Sequence, residues 1–144
     1  MKRIIPILIG FAPLPLGFLL NDLMINRDFL PPLLMGFLFL FAWFLFGMLS
    51  IKFVTRRKEA VLLLNTPAFL VLLLILFQEI ILGRFFANII GISSQFFYLP
   101  LMQLGAIIVR VTGVITISGS ASVAFVLMLI ASYLGRRVAE RAKE

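Results

Sequence analysis

Few residues in this chain carry groups able to do chemistry, and nearly all of them interrupt long apolar runs. Glu79 is the sharpest. It sits about one helical turn from the end of an apolar stretch, with Gln78 beside it and Arg84, Gln95, Gln103 and Arg110 following in the chain. A carboxylate at that depth needs a partner, because an unpaired ion in a medium of low polarity is costly. The cluster suits a proton-responsive or headgroup-binding site. It suits better a salt bridge from Glu79 to Arg84 or Arg110 that pins the intervening segment over the rest of the molecule. The second group is Asn65, Thr66 and Pro67. A proline there removes the N–H that would bond to the Leu63 carbonyl and favours a kink. A kink with two polar side chains can hold an ion or gate a path, and it serves helix packing equally well, which is the preferred reading.

Other chemistry is excluded by what is missing. The chain has no cysteine and no histidine, which removes thiol and disulfide chemistry, imidazole acid–base work and the usual zinc ligand sets. Ser93, Ser94 and the serines at 118–122 have no lysine or histidine placed as a base. No acidic pair is available to hold a metal, so no metal or cofactor is expected. A lone carboxylate gives a lipid-modifying enzyme little support, and the chain reads as non-enzymatic.

The elements that carry these residues are apolar throughout. Of 144 residues, 62% are hydrophobic and only 13% charged, too few charges to coat a soluble domain of this size. The apolar residues, including sixteen Phe, come in long runs rather than at amphipathic spacing. The expectation is an all-α, polytopic membrane protein: a single domain over 1–144, built as a small four-transmembrane-helix bundle with an outer interfacial or re-entrant segment.

Spans are expected at about 4–20, 33–54, 60–82 and 114–134. The first is read as a retained helix rather than a cleaved signal, since it lacks a small-residue cleavage pattern. Pro13 and Pro15 should bend it, and Asn21, Asp22, Asn26, Arg27 and Asp28 should form a short polar connection. Pro31 and Pro32 suit the start of the second span. The region 84–113 divides into an amphipathic stretch, with Arg84, Asn88, Gly91 and Gln95 at helical spacing, and an apolar run, Leu99 to Val109. At about 16 Å, that run is too short to cross alone. An interfacial helix followed by a shallow re-entrant segment is the expected arrangement. In the last span Ser118/Ser122, Ser120/Ala124 and Ala131/Gly135 have small-xxx-small spacing, which allows helices to approach closely.

The net charge of +7 does not point to nucleic acid, because the basic residues flank apolar runs and form no nucleic-acid module. Lys2, Arg3, Lys52, Arg56, Arg57, Lys58, Arg136, Arg137, Arg141 and Lys143 fall on one side if both ends and the 52–58 turn are cytoplasmic. That is ten of the thirteen basic residues; only Arg27, Arg84 and Arg110 fall opposite. Such a bias favours an even number of crossings, with the basic clusters against anionic headgroups at the cytoplasmic face of a bacterial plasma membrane. The leading expectation is an accessory, regulatory or immunity-type subunit acting through helix and lipid contacts, with a protein partner or as a homo-oligomer. The alternative is a small oligomeric transporter or channel lined by Asn65, Thr66, Glu79 and Arg110.

Overall fold

A computed structural model describes residues 2–26, 31–111 and 116–142. They form α1 (Ile4–Gly10), α2 (Pro13–Asn26), α3 (Pro32–Leu49), α4 (Arg57–Leu76), α5 (Ile89–Arg110) and α6 (Ile117–Arg141). A 3₁₀ turn, Ser50–Lys52, prolongs α3, and a π-helical turn, Phe77–Ile81, prolongs α4. Among the described residues, five segments are long and apolar enough to cross a membrane: 4–26, 32–52, 57–81, 89–110 and 117–141. The outward side chains agree. Phe37, Phe41, Leu62, Ile80 and Ile81 are all exposed, which suits lipid and not water. The protein is an all-helical, polytopic membrane protein.

Local chemistry sets the boundaries. Pro13 needs no N–H in the first turn of α2, and the chain breaks at Phe11–Ala12 between α1 and α2. α2 then continues beyond Leu20. Asn21, Asp22 and Asn26, expected as a connection, lie on its last turns, where Asn26 donates to Asp22 at 2.8 Å. Arg27 and Asp28 lie outside the described residues. Asn88 caps α5 by accepting from the N–H groups of Ile90 and Gly91, both at 3.1 Å. Thr116 caps α6 through the Gly119 N–H at 3.0 Å. The end of α4 is turned by Gly83, whose φ of +62° is open to glycine and costly for other residues.

The largest departure from expectation is at 84–113. Residues 89–110 form one continuous helix of 22 residues, not an interfacial helix followed by a separate shallow run. The polar residues that suggested a division do not interrupt it. Ser94 is buried and donates to the Gly91 carbonyl at 2.8 Å, and Pro100 is accommodated inside the helix. Proline leaves the carbonyl four residues earlier, that of Phe96, without its helical donor. Gly17 of α2 is what lies against it: a Cβ added there would fall 1.8 Å from the Phe96 oxygen. The lack of a side chain thus lets the α2 backbone close over the freed carbonyl, where a Cα–H contact can reach it.

The contacts define how the helices run. Arg3 pairs with Glu59 at 3.1 Å, and Arg136 donates to the Thr55 carbonyl at 2.7 Å. The start of α1, the α3–α4 turn and the end of α6 therefore gather at one end. α1–α2, α3, α4 and α6 run alternately away from and back to it. α5 does not follow this alternation. In chain order, its Ser94 meets Gln78 at the end of α4, Phe96 meets Gly17, Leu104 meets Gly36 in the first turns of α3, and Gly105 meets Ser120 at the start of α6. These partners all lie in the half of the molecule remote from the α3–α4 turn, so α5 runs obliquely across that half. The core beneath it combines Phe39, Trp43, Leu64, Ala68, Leu72, Ile75, Phe97, Tyr98, Leu101, Ala121, Ala124 and Met128.

Candidate functional site

Polar groups enter the bundle at three levels, and α4 touches all three. Midway along α4, the Trp43 indole N–H donates to Asn65 Oδ1 at 3.0 Å. Asn65 Nδ2 donates to Ser132 Oγ at 2.9 Å and to the Val61 carbonyl at 2.8 Å. One amide thus joins α3, α4 and α6. Thr66 turns back to the Leu62 carbonyl at 2.8 Å, and the Pro67 ring packs beside Gly10. The candidate kink is a three-helix junction. Trp43 and Ser132, missed in the sequence, are its other members; the interior position of the only Trp was the available signal.

The second level lies at the remote end. Glu79 does not pair with either arginine. Its carboxylate accepts the backbone N–H of Ser118 at 2.5 Å and that of Ile117 at 3.3 Å. Those N–H groups have no helical partner, and they carry the positive end of the helix dipole, so a carboxylate satisfies both needs. Among the described residues, Arg84 and Arg110 make no ion pair with Glu79, and both are exposed. Gln78, fully buried by the π-helical turn, accepts the Phe86 N–H at 2.8 Å and donates to Ser94 Oγ at 3.3 Å. It ties the loop after α4 to α5. Gln95 is half-buried, and Gln103 is exposed near the far end of α5.

The third level is at the end where α1, α6 and the α3–α4 turn meet. The basic residues there were read as headgroup contacts, but Arg136 is 1% exposed. Its Nε donates to Glu140 Oε1 at 2.8 Å, while its terminal nitrogens reach the Thr55 carbonyl and, at 3.4 Å, Ser50 Oγ. The other Glu140 oxygen accepts Arg57 Nε at 2.6 Å, and the Arg57 guanidinium lies 5.5 Å from the centre of the Tyr133 ring. Arg136, Glu140 and Arg57 thus latch α6 to the turn. The signal in the sequence was the face of α6: Ser132, Gly135, Arg136 and Ala139 recur at helical spacing, and Arg136 and Glu140 are four apart.

Small residues bring α6 against its neighbours. Ser118, Ser120, Ala121, Ala124, Ser132 and Gly135 are buried, whereas Ser122 and Ala131, also expected in the interface, are half-buried beside it. A Cβ on Gly135 would fall 2.0 Å from the Phe44 oxygen, and one on Gly47 would fall 2.3 Å from the Ser132 oxygen. The helix begins at Ile117, and the expected start at Val114 lies outside the described residues.

Chemically, these arrangements are closed. Among the described residues, no buried side-chain nitrogen or oxygen lacks a hydrogen-bond partner, and no cluster of acidic residues could hold a metal ion. The Tyr98 hydroxyl donates to the Ala68 carbonyl at 2.6 Å, with no base near it in that bond. Between Asn65 and Gln78 lies about 20 Å of α4. Its inward side chains there are Ala68, Leu72 and Ile75, all packed in the apolar core. Open space lies elsewhere: a cavity of about 420 Å³ between α2 and α3, whose described lining is apolar, and one of about 530 Å³ beside Arg3, Arg56, Lys58 and Glu59. No family model matches this chain, and no curated protein or solved structure matches it either.

Proposed function

We propose that the protein is a non-enzymatic subunit of accessory, regulatory or immunity type, which acts through helix and lipid contacts in a bacterial plasma membrane. Helices α1–α2, α3, α4 and α6 make four crossings, with the Arg136 latch on the cytoplasmic side. α5, one continuous helix, lies obliquely across the outer half without making a crossing. Anionic headgroups then meet the exposed cations Arg3, Arg56, Lys58 and Arg137.

One observation carries the reading. On α4 the Asn65 junction is separated from Gln78 and Glu79 by the dry layer of Ala68, Leu72 and Ile75, and each of these three side chains is bonded to another element. A transporter needs polar groups free to meet a solute, and an enzyme needs a base or metal beside its nucleophile. The reading predicts that the protein is recovered from native membranes with a protein partner at fixed stoichiometry. Purified and reconstituted, it passes no ion or small solute. Flux through the purified protein that is lost in Glu79→Gln or Asn65→Ala would replace this reading with a transporter.

A further inference from the structure

The end of the bundle where α1, α6 and the α3–α4 turn meet carries more positive charge than it neutralises. Its carboxylates among the described residues are Glu59 and Glu140. Glu140 is taken by Arg57 and Arg136, and Glu59 by Arg3. Arg56 and Lys58 have no carboxylate left to meet, and among the described residues neither makes an ion pair. Excess charge is common at the ends of membrane helices and does not by itself define a site. Here it converges on a cavity. A space of about 530 Å³ opens between the start of α1 and the first turns of α4, lined by Arg3, Arg56, Lys58, Glu59, Leu62 and Leu63.

The lining selects the ligand by its chemistry. Three cations face one carboxylate, which leaves the cavity with a net charge of +2. Arg3 reaches Glu59 through Nε at 3.1 Å, so both of its terminal nitrogens remain able to donate, and 75% of its side chain is exposed. Two guanidinium groups and an ammonium can meet the several oxygens of a phosphate from different sides, the first two in paired bonds and the third as a point charge. The wall then changes character with depth. Leu62 follows Lys58 by four residues, about 6 Å further along α4, and is exposed. Cations above and leucines below repeat the order of a phospholipid, whose phosphate adjoins its esters and acyl chains. A free phosphate would use the cations and leave the leucines without a role.

We propose that the cleft between α1 and α4 is a discrete seat for one anionic phospholipid, whose phosphate is held by Arg3, Arg56 and Lys58 and whose first acyl carbons lie on Leu62 and Leu63. This deepens the proposed function and rests on it: headgroup attraction spread over the basic end becomes one saturable site, and the lipid bridges the first helix to the fourth.

A comparison at equal charge separates a site from a charged surface. Purified protein is placed in nanodiscs of mixed phosphatidylglycerol and phosphatidylcholine, taken through detergent and weighed by native mass spectrometry. The expected result is one retained phosphatidylglycerol per protein. Arg56→Gln with Lys58→Gln removes two cations from the cavity. Lys52→Gln with Arg141→Gln removes two exposed cations that do not line it. The first pair is expected to cut retention about tenfold and the second by less than about twofold, with helical content unchanged in both. Inorganic phosphate in large excess, at constant ionic strength, should leave the retained lipid in place. Equal losses in the two double variants overturn the proposal, as does retention of phosphatidylcholine as often as phosphatidylglycerol. Loss of the lipid to inorganic phosphate overturns it too, making the cleft a site for the free anion. A nanodisc presents lipid to both ends of the bundle, so none of these outcomes depends on sidedness. Failure of the proposed function shows instead as flux, with the cavity cations present or removed.

Discussion

Arg136 concentrates at one residue the problem that a membrane protein meets wherever it encloses a charge. The guanidinium is buried, so its desolvation must be offset by partners of fixed geometry, and it has three: Glu140, the Thr55 carbonyl and Ser50. Removing one member of a buried ion pair leaves the other uncompensated, at a cost of about 3–5 kcal/mol when both are enclosed. Glu140 is partly open, with 23% of its side chain exposed, and retains Arg57. Arg136→Ala is therefore expected to destabilise the protein by about 2–3 kcal/mol, below that range because Glu140 keeps solvent and Arg57. Arg137→Ala, one residue on and exposed, should change stability by less than about 0.5 kcal/mol. Thermal unfolding of the two variants in the same detergent checks the contrast, and equal losses would remove the latch. At this scale the sequence was only partly legible. Depth from the ends of apolar runs singled out Glu79 and Asn65 as residues in need of partners. Their partners were not visible, because Glu79 is satisfied by backbone N–H groups, which every helix start offers and no side chain advertises. Arg136 was hidden by its company: in a basic cluster at a span end, only the helical face separates an enclosed charge from a lipid-facing one.

Among the elements, close approach is controlled by missing side chains. α6 meets α3 where Gly47 faces the Ser132 backbone and Gly135 faces that of Phe44. Lipid is as apolar as the interface, so such helices associate through packing and hydrogen bonds rather than by escape from water. A valine at 135 would set its Cβ against a backbone oxygen that cannot rotate away. Gly135→Val is expected to cost at least about 2 kcal/mol and to weaken the neighbouring Asn65–Ser132 and Arg136–Thr55 bonds. Ala131→Val, half-buried, should cost under about 1 kcal/mol. Guest-residue stabilities measured by unfolding in mixed micelles check both values; similar losses would mean that α3 and α6 are not held by backbone contact. The same device explains why α5 was hard to read. In the sequence, the amphipathic stretch to Gln95 and the short apolar run Leu99 to Val109 look like two elements, with Pro100 near their junction. Here the carbonyl that Pro100 frees is covered by Gly17, which is 83 positions earlier, and local spacing cannot reveal a remedy so distant. Spans two and three were legible because their runs are uniform, and their bounds shift by only a few residues in the structure: α3 with its 3₁₀ turn covers 32–52, and α4 with its π-helical turn covers 57–81.

At the scale of the whole molecule, hydropathy and charge distribution give different counts, and the oblique helix reconciles them. Five segments are long and apolar enough to cross. Five crossings would place Lys2 and Arg141 on opposite sides of the membrane and divide the basic clusters, against the bias that favours cations on the cytoplasmic face. Yet Arg3 is paired with Glu59, and Arg57 with Glu140, so these segments share one end of the bundle. In the four-crossing arrangement proposed above, α1–α2, α3, α4 and α6 satisfy those pairs and α5 stays within the outer half, with its helix bonds satisfying its backbone except at Phe96, where Gly17 closes over the carbonyl. The absence of cysteine makes this directly testable, since each introduced thiol is the only one present. Single cysteines at Lys2, Lys58, Arg84 and Arg141 occupy exposed positions. With an impermeant maleimide on intact cells, Arg84→Cys is expected to label, whereas Lys2→Cys, Lys58→Cys and Arg141→Cys should label only after the membrane is opened. Labelling of exactly one of the positions 2 and 141 from outside would mean that α5 crosses, and the four-crossing arrangement would fall with it. Labelling of 2, 58 and 141 together, with 84 protected, would keep four crossings and invert them, placing the Arg136 latch outside and the Glu79 end on the cytoplasmic face.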